Sequence, residues 1–405
     1  MTEPSAFRSE LRAFLSDNVP EVLRGRPMLM PAEAAANPEP ADIVAARAKY
    51  LSVMSQRGYT VPRWPKEYGG AGLTVDEARI LQEELDALRL TPALLGMGVS
   101  MIGPTLLVHG SEEQKQRFLP LIASGAYRFC QGFSEPGAGS DLAALRTSAV
   151  LDASGQQYII NGSKIWTSGA QHANWIFMLV RTDTSNKHNG ITFILVDMSM
   201  PGIEVKPIRL LSGHSMFCEV FFHDVVAQAS DVVGQVNAGW TVAKTLLGFE
   251  RSGMGAGAVG AGNAGRRGAA NSSNELVTLA KQTVGEHEGM IADGAVRDAV
   301  AQLMLDELAL SLTIERAAAS RSATGAAGPE MSLFKLHQSE LGQRRDELAL
   351  SLRGSDALAW EGAGTSPQST AATRMWLSAK ATTIWGGTSE VQRNIIAKRI
   401  LRLPS

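Results

Sequence analysis

Cysteine is scarce: the 405 residues hold only Cys130 and Cys218, far apart and without CxxC spacing. That argues against a disulfide framework and makes a reducing compartment the default. Excess charge of either sign is also lacking. The formal net charge is −2 and the pI is about 6.4, so neither nucleic acid nor an anionic membrane is favoured as a partner. No apolar run reaches the ~18 residues that a membrane-spanning helix needs. The opening MTEPSAFRSELRAFL has no apolar signal core, and its early acids argue against a transit peptide. A cytoplasmic protein is the expectation. No internal repeat is visible, no strand leads into a GxGxxG turn, and no metal site is expected.

The chain is long enough for two or three domains with sizeable cores. Residues 1–128 read as helical. Phe7, Leu11, Phe14 and Leu15 recur at helical spacing. Thr74 with Glu77, and Ser111 with Gln114, fit capping boxes that each open an amphipathic segment. From 129 to 236 the pattern changes. YIING, NWIFMLV and GITFILVDM are short, β-branched and aromatic, with turn residues between them, as in antiparallel strands. From 237 to 405 the pattern is helical again, and Val296, Val300, Leu303, Leu310 and Ile314 share one face. Helices, then strands, then helices predict an α+β protein: an N-terminal helical domain, a middle antiparallel β domain and a C-terminal four-helix bundle.

Three stretches can carry chemistry. FSEPGAGSD (133–141) exposes backbone N–H groups and the hydroxyls of Ser134 and Ser140, enough to bind an anion or a polar ring edge. A plain tight turn is the simpler reading of such a loop on its own. In NGSKIWTSG (161–169), Trp166 beside Thr167 and Ser168 can cover a planar cofactor while the hydroxyls bind its edge. Core packing of Trp166 is the simpler alternative. In IWGGTSEVQR (384–393), Ser389 and Gln392 fit a third capping box. The two glycines before it ask for unusual dihedrals or for something close to the backbone.

Taken in order, WPKEYGG, FSEPGAGSDL, NGSKIWTSGAQHANW, NAGWTVAKTLLGFER and IWGGTSEVQRNIIAKRIL resemble the acyl-CoA dehydrogenase family over nearly the whole chain. The resemblance implies a flavoprotein with FAD between the β domain and the bundle, partly clamped by a neighbouring subunit. It implies an acyl-CoA substrate, an electron-transfer flavoprotein as acceptor, and a homodimer or homotetramer. By the same resemblance Phe133, Ser134, Gly139 and Ser140 match the loop near the flavin, with Ser140 also near the CoA portion. Trp166 and Ser168 match the flavin-stacking and edge-binding positions. Trp385, Thr388 and Glu390 match cofactor contacts at a helix entry, where the dipole suits phosphate. Arg251 matches an arginine near the CoA site.

The family reaction removes an α-proton and a β-hydride from a thioester. Such a weak acid needs a placed base and donors to the carbonyl. In many members the base is a glutamate at the position of Gly386, and glycine abstracts nothing. Ala243, Leu246, Leu247, Glu250 and Met254 share one helix face, so Glu250 is an ionisable group on an apolar stripe. Burial there would raise its pKa toward that of a base. Snorkelling out or pairing with a cation is the alternative. Isovaleryl- and long-chain-type members resemble this chain in both respects, so the resemblance assigns the base to Glu250 and leaves Gly386 as a backbone donor to the thioester carbonyl.

The Arg-x-x-Phe-Gly segment by which many members reach a neighbour's FAD is missing from 276–290, and SLRGS (351–355) keeps Gly354 without the usual glutamine. Some members of this kind work as mixed complexes, although a homo-oligomer is simpler. The rival readings are an oxidase or monooxygenase on the same fold and a non-catalytic subunit that completes another chain's site.

Overall fold

The computed structural model describes residues 4–26, 28, 38–259, 274–321, 328–360 and 367–404; for residues 4, 251–259, 318–321 and 367–369 only the backbone is described. The glycine-rich 253–268 and the loop 362–370 fall largely outside this set.

The described chain divides into two compact units, 1–208 with 215–249, and 209–214 with 250–405. The first unit begins with helices α1 (Pro4–Asn18), α2 (Ala41–Gln56), α3 (Val75–Ala87), α4 (Gly103–His109) and α5 (Glu112–Ala123). The expected apolar face of α1 is real: Phe7, Leu11 and Leu15 are buried with residues of α2 and α3, and Phe14 packs beside them. Both capping boxes form. The Thr74 and Ser111 side chains accept from the N–H of Glu77 and Gln114, whose side chains reach back to the cap. Each box satisfies two N–H groups that a helix start otherwise leaves unpaired.

Seven strands follow: β1 (Phe129–Gly132), β2 (Ser148–Leu151), β3 (Gln157–Ser168), β4 (Trp175–Arg181), β5 (Ile191–Asp197), β6 (Ile203–Ile208) and β7 (Phe217–Gln228). They form one sheet in the order β1-β4-β2-β3-β7-β6, with β5 also paired to β4. Most pairs are antiparallel, as the short strands and turns suggest, but β1 and β2 run parallel to β4. These parallel pairs join strands distant in sequence, a pairing that local patterning does not carry.

Strand β4 has both faces covered. Trp175, Phe177 and Leu179 pack with Phe118, Leu119 and Ile122 of α5, while Ile176, Met178 and Val180 pack with Ile160 and Val220. This explains why NWIFMLV is a continuous apolar run and not an alternating one. Helix α6 (Gly239–Val259) starts against β5: a Cβ on Gly239 would lie 2.3 Å from the Phe193 nitrogen, so only glycine fits there. Val242, Ala243 and Leu246 of α6 join the core that holds Phe177 and Phe193.

In the second unit a helical stretch, α7 (274–284), leads into a two-stranded hairpin, β8 (Glu286–His287) and β9 (Met290–Ile291). The helical pattern expected after Gly239, with 253–268 and 362–370 as its main interruptions, has a further break here: Gly285 and Gly289, both at positive φ, turn the chain. Helices α8 (Gly294–Arg321), α9 (Met331–Ser351), α10 (Pro367–Ala379) and α11 (Ser389–Ile395) complete the unit, and α9 packs on the other three. Val300, Leu303 and Ile314 of α8 are buried, with Val296 and Leu310 packed alongside. The helical N-terminal part, β middle and helical C-terminal part are the predicted α+β architecture. Among the described residues, no helix is long and apolar enough to cross a membrane.

Candidate active site

Within the first unit, the 133–141 loop leaves β1 and folds back on itself. Glu135 and Ala138 exchange backbone hydrogen bonds of 3.0 Å across Pro136-Gly137. The Phe133 ring is buried, edge-on to Phe177 at 5.9 Å and to Phe193 at 6.1 Å. Ser134 is half-buried, and Gly139 and Ser140 are exposed. The loop is anchored beneath by charge. Lys164, at 0% exposure, donates from Nζ to Glu135 Oε1 at 2.7 Å and to the Phe133 carbonyl at 3.2 Å. Burial pulls the Lys164 ammonium down to about 8, against the pull of Glu135. Burial pushes Glu135 the other way, but the Lys164 charge and the hydrogen bonds from Lys164, Thr147 and Arg146 outweigh it and hold the carboxyl below its ordinary value. The pair is therefore ionised at neutral pH.

Trp166 is displayed and not packed. It is 53% exposed, with its ring edge-on to Phe217 at 6.1 Å. Simple alternation along β3 would put Trp166 on the same side as the buried Lys164. The register with β7 explains the exception. Lys164 pairs with Val220 but Thr167 pairs with Cys218, so β3 holds one extra residue at this point. Trp166 sits on this bulge at φ 61°, and Thr167 takes the buried side. A bulge re-aims a side chain, and a left-handed dihedral in a bulky residue is a strain that usually accompanies function. Ser168 follows, half-buried. The Thr167 hydroxyl is buried without a hydrogen-bond partner.

Within the second unit, Gly386 and Gly387 have φ of 65° and 92°. Both occupy the left-handed region, which accounts for the paired glycines. The third capping box does not form as the sequence suggests. Thr388, one residue earlier, is the N-cap and accepts from the Val391 N–H at 3.2 Å. The Gln392 amide turns back instead to donate to the Gly386 and Gly387 carbonyls, at 3.0 and 3.2 Å. The Ser389 hydroxyl is left buried without a partner. A box would need the Gln392 side-chain oxygen to accept the Ser389 N–H, but that N–H donates to the Thr383 carbonyl at 3.0 Å, and the Gln392 oxygen is itself buried without a partner. Lys335 of α9, also buried, donates to the Gly387 carbonyl at 2.7 Å. Trp385 is partly exposed, and the exposed Glu390 carboxyl is held below its ordinary value by its own backbone N–H and by the Thr388 hydroxyl.

On α6, Ala243 and Leu246 are buried, Leu247 is partly so, and Glu250 comes next on that stripe, half-buried. The Arg251 and Met254 side chains lie outside the described residues. Sequence reasoning missed Glu135, Lys164 and Lys335. For Lys164 a signal existed: in YIINGSK it shares the inward parity of Tyr158 and Ile160, and a charge at such a position needs a buried partner. Lys335 carries no comparable local mark.

Helices, a mainly antiparallel sheet and helices again confine the chain to α+β proteins with a β middle domain. Comparison with known proteins narrows this further. Residues 2–126, 130–225 and 237–401 match the N-terminal, middle and C-terminal domains of acyl-CoA dehydrogenase, and the chain belongs to that family. It is an oxidoreductase acting on acyl-CoA, and members of the family are flavoproteins. It is 36% identical to "Acyl-CoA dehydrogenase IpdE1" of Mycolicibacterium smegmatis, covering 100% of this chain and 99% of that protein. Among solved structures it is similar to the "Tcur3481-Tcur3483 steroid ACAD", with 29% identity, a TM-score of 0.75, and 100% and 99% of the two chains covered. It is also similar to the ChsE4-ChsE5 complex from Mycobacterium tuberculosis, with 28% identity, a TM-score of 0.74, and 100% and 98% covered.

Proposed function

We propose that this chain introduces the α,β double bond into an acyl-CoA thioester, with FAD as cofactor, Glu250 as the base and the Gly386 N–H as a donor to the thioester carbonyl. FAD, when bound, supplies the acceptor for the β-hydrogen, which leaves as hydride. The Glu250 carboxylate takes the α-proton, and enolate charge gathering on the carbonyl oxygen is met by the backbone donor. The observation that carries this reading is the Gly386-Gly387 turn. The position that holds the base in many relatives has lost its side chain, while the turn is fixed through both its carbonyls. A pinned turn without a carboxylate fits a carbonyl-binding role with the base elsewhere, and Glu250 on the apolar stripe of α6 is the carboxylate that fits.

The exposed Trp166 on its bulge, with Ser168 beside it, suits a flat ring with polar edges. Ser134, Gly139 and Ser140 supply polar groups on the neighbouring loop, with Ser140 and Arg251 assigned toward CoA. Phe133, Trp385, Thr388 and Glu390 are also assigned to the cofactor by the family resemblance, and an electron-transfer flavoprotein is the proposed acceptor. The printed names of the similar structures favour a steroid-derived acyl group as substrate. Two of those structures join two different proteins, and 276–290 lacks the usual Arg-x-x-Phe-Gly. These facts favour a second reading on assembly, in which another subunit completes the flavin site.

Anaerobic titration of the purified yellow protein with straight-chain, branched and steroid-side-chain acyl-CoA thioesters tests the function. Bleaching of the flavin band by a thioester is expected, with the steroid class fastest. A flavin-loaded protein that no thioester bleaches contradicts it. A colourless chain that turns yellow only when co-expressed with a partner supports the mixed complex.

A further inference from the structure

The buried Glu135–Lys164 pair has no part in the chemistry described so far. Beyond the lysine, the Glu135 carboxylate accepts from the backbone N–H of Arg146 at 2.6 Å and of Thr147 at 2.9 Å. Lys164 also holds the Phe133 carbonyl, and the next residue, Ile165, donates its N–H to the Ser134 carbonyl at 2.9 Å. Three stretches therefore meet at one ion pair: the 133–141 loop, the entry to β2, and β3 immediately before the Trp166 bulge.

Two of these stretches carry Phe133, Ser134 and Trp166. Burying two charges costs several kcal/mol each before their attraction offsets it, and apolar residues of similar volume often serve stability as well or better. An apolar pair would fill the space but fix no direction. An ion pair with four directional hydrogen bonds sets the distance and orientation of the loop relative to the bulge. We infer that Glu135 and Lys164 are positioning residues that hold the 133–141 loop and the Trp166 bulge in the mutual geometry that FAD requires. This rests on the reading of those stretches as the flavin face. Neither residue is assigned contact with substrate or cofactor.

Single substitutions strand a buried charge and destabilise the protein for that reason alone, so the decisive variants change both residues. In E135Q/K164M the single amide oxygen can still accept from one of Arg146 and Thr147, which donate to different oxygens of the Glu135 carboxylate. In E135L/K164M the pair becomes apolar. Full-length proteins are compared by thermal unfolding, by FAD dissociation constant after flavin removal and reconstitution, and by the rate of flavin reduction by the best thioester. Both double variants are expected to unfold within a few degrees of wild type, while FAD binding weakens and reduction slows, each on the order of 10–100-fold, as misplacement of an aligned site does. Wild-type FAD affinity and rate in either stable double variant would overturn the inference. Failure of both to fold would overturn it too, because the pair would then be holding the fold. If wild type binds FAD but no thioester bleaches it, the proposed reaction fails while the affinity comparison still decides this inference.

Discussion

Gly387 sits at φ 92°, and a Cβ there would lie 2.5 Å from the Gln392 amide nitrogen. Gly387→Ala must strain the backbone and push aside the group that pins the turn. A loss of roughly 1–3 kcal/mol is expected in thermal or urea unfolding. The glycine pair was legible as a special backbone site. What fixes it was not, because Lys335 lies some fifty positions upstream and nothing local marks it. The Glu135–Lys164 pair gives a second test at this scale. Glu135 lies below its ordinary value of 4.5 when folded, so the folded state binds fewer protons than the unfolded one. Its contribution is fully present above that value and is lost as pH falls through the lower folded value. The urea midpoint of wild type is expected to drop more steeply below pH 4.5 than that of E135Q/K164M. Parallel curves would contradict the assignment.

Among the elements, those with a strong period were the easiest to read. The apolar stripe of α1 and the capped starts of α3 and α5 formed as their spacing requires. Thr74→Ala removes an acceptor that Glu77 N–H uses at 3.2 Å and breaks the reciprocal box. It is expected to lower stability by about 1 kcal/mol, read as a shift of the urea midpoint without a change in slope. The box at Ser389 and Gln392 has the same letters and did not form, because the helix starts one residue earlier at Thr388 and the Ser389 N–H donates to the Thr383 carbonyl. The bulge in β3 was equally hidden. Alternation alone puts Trp166 inside, and only the pairing of β3 with β7 shows the extra residue. Local chemistry proposes each element, and its ends are settled by partners far away in sequence.

For the whole molecule, the order of motifs was more informative than any one of them. Each loop alone was compatible with a plain turn or with core packing. Five together pointed to one family, and the domain matches show that family. Composition could not reach the acyl group or the assembly, since both depend on shape and on surfaces that no local pattern encodes. The central proposal is narrower: Glu250 serves as the base, because Gly386 carries no carboxylate, while the Gly386-Gly387 turn binds the carbonyl. Anaerobic stopped-flow reduction of FAD-loaded Glu250→Gln by a thioester that bleaches wild type tests it most directly. Near-isosteric glutamine keeps the packing but cannot take the proton. The account predicts that FAD stays bound, the thioester still binds, and the reduction rate falls at least ~100-fold. A variant reduced at close to the wild-type rate would contradict it.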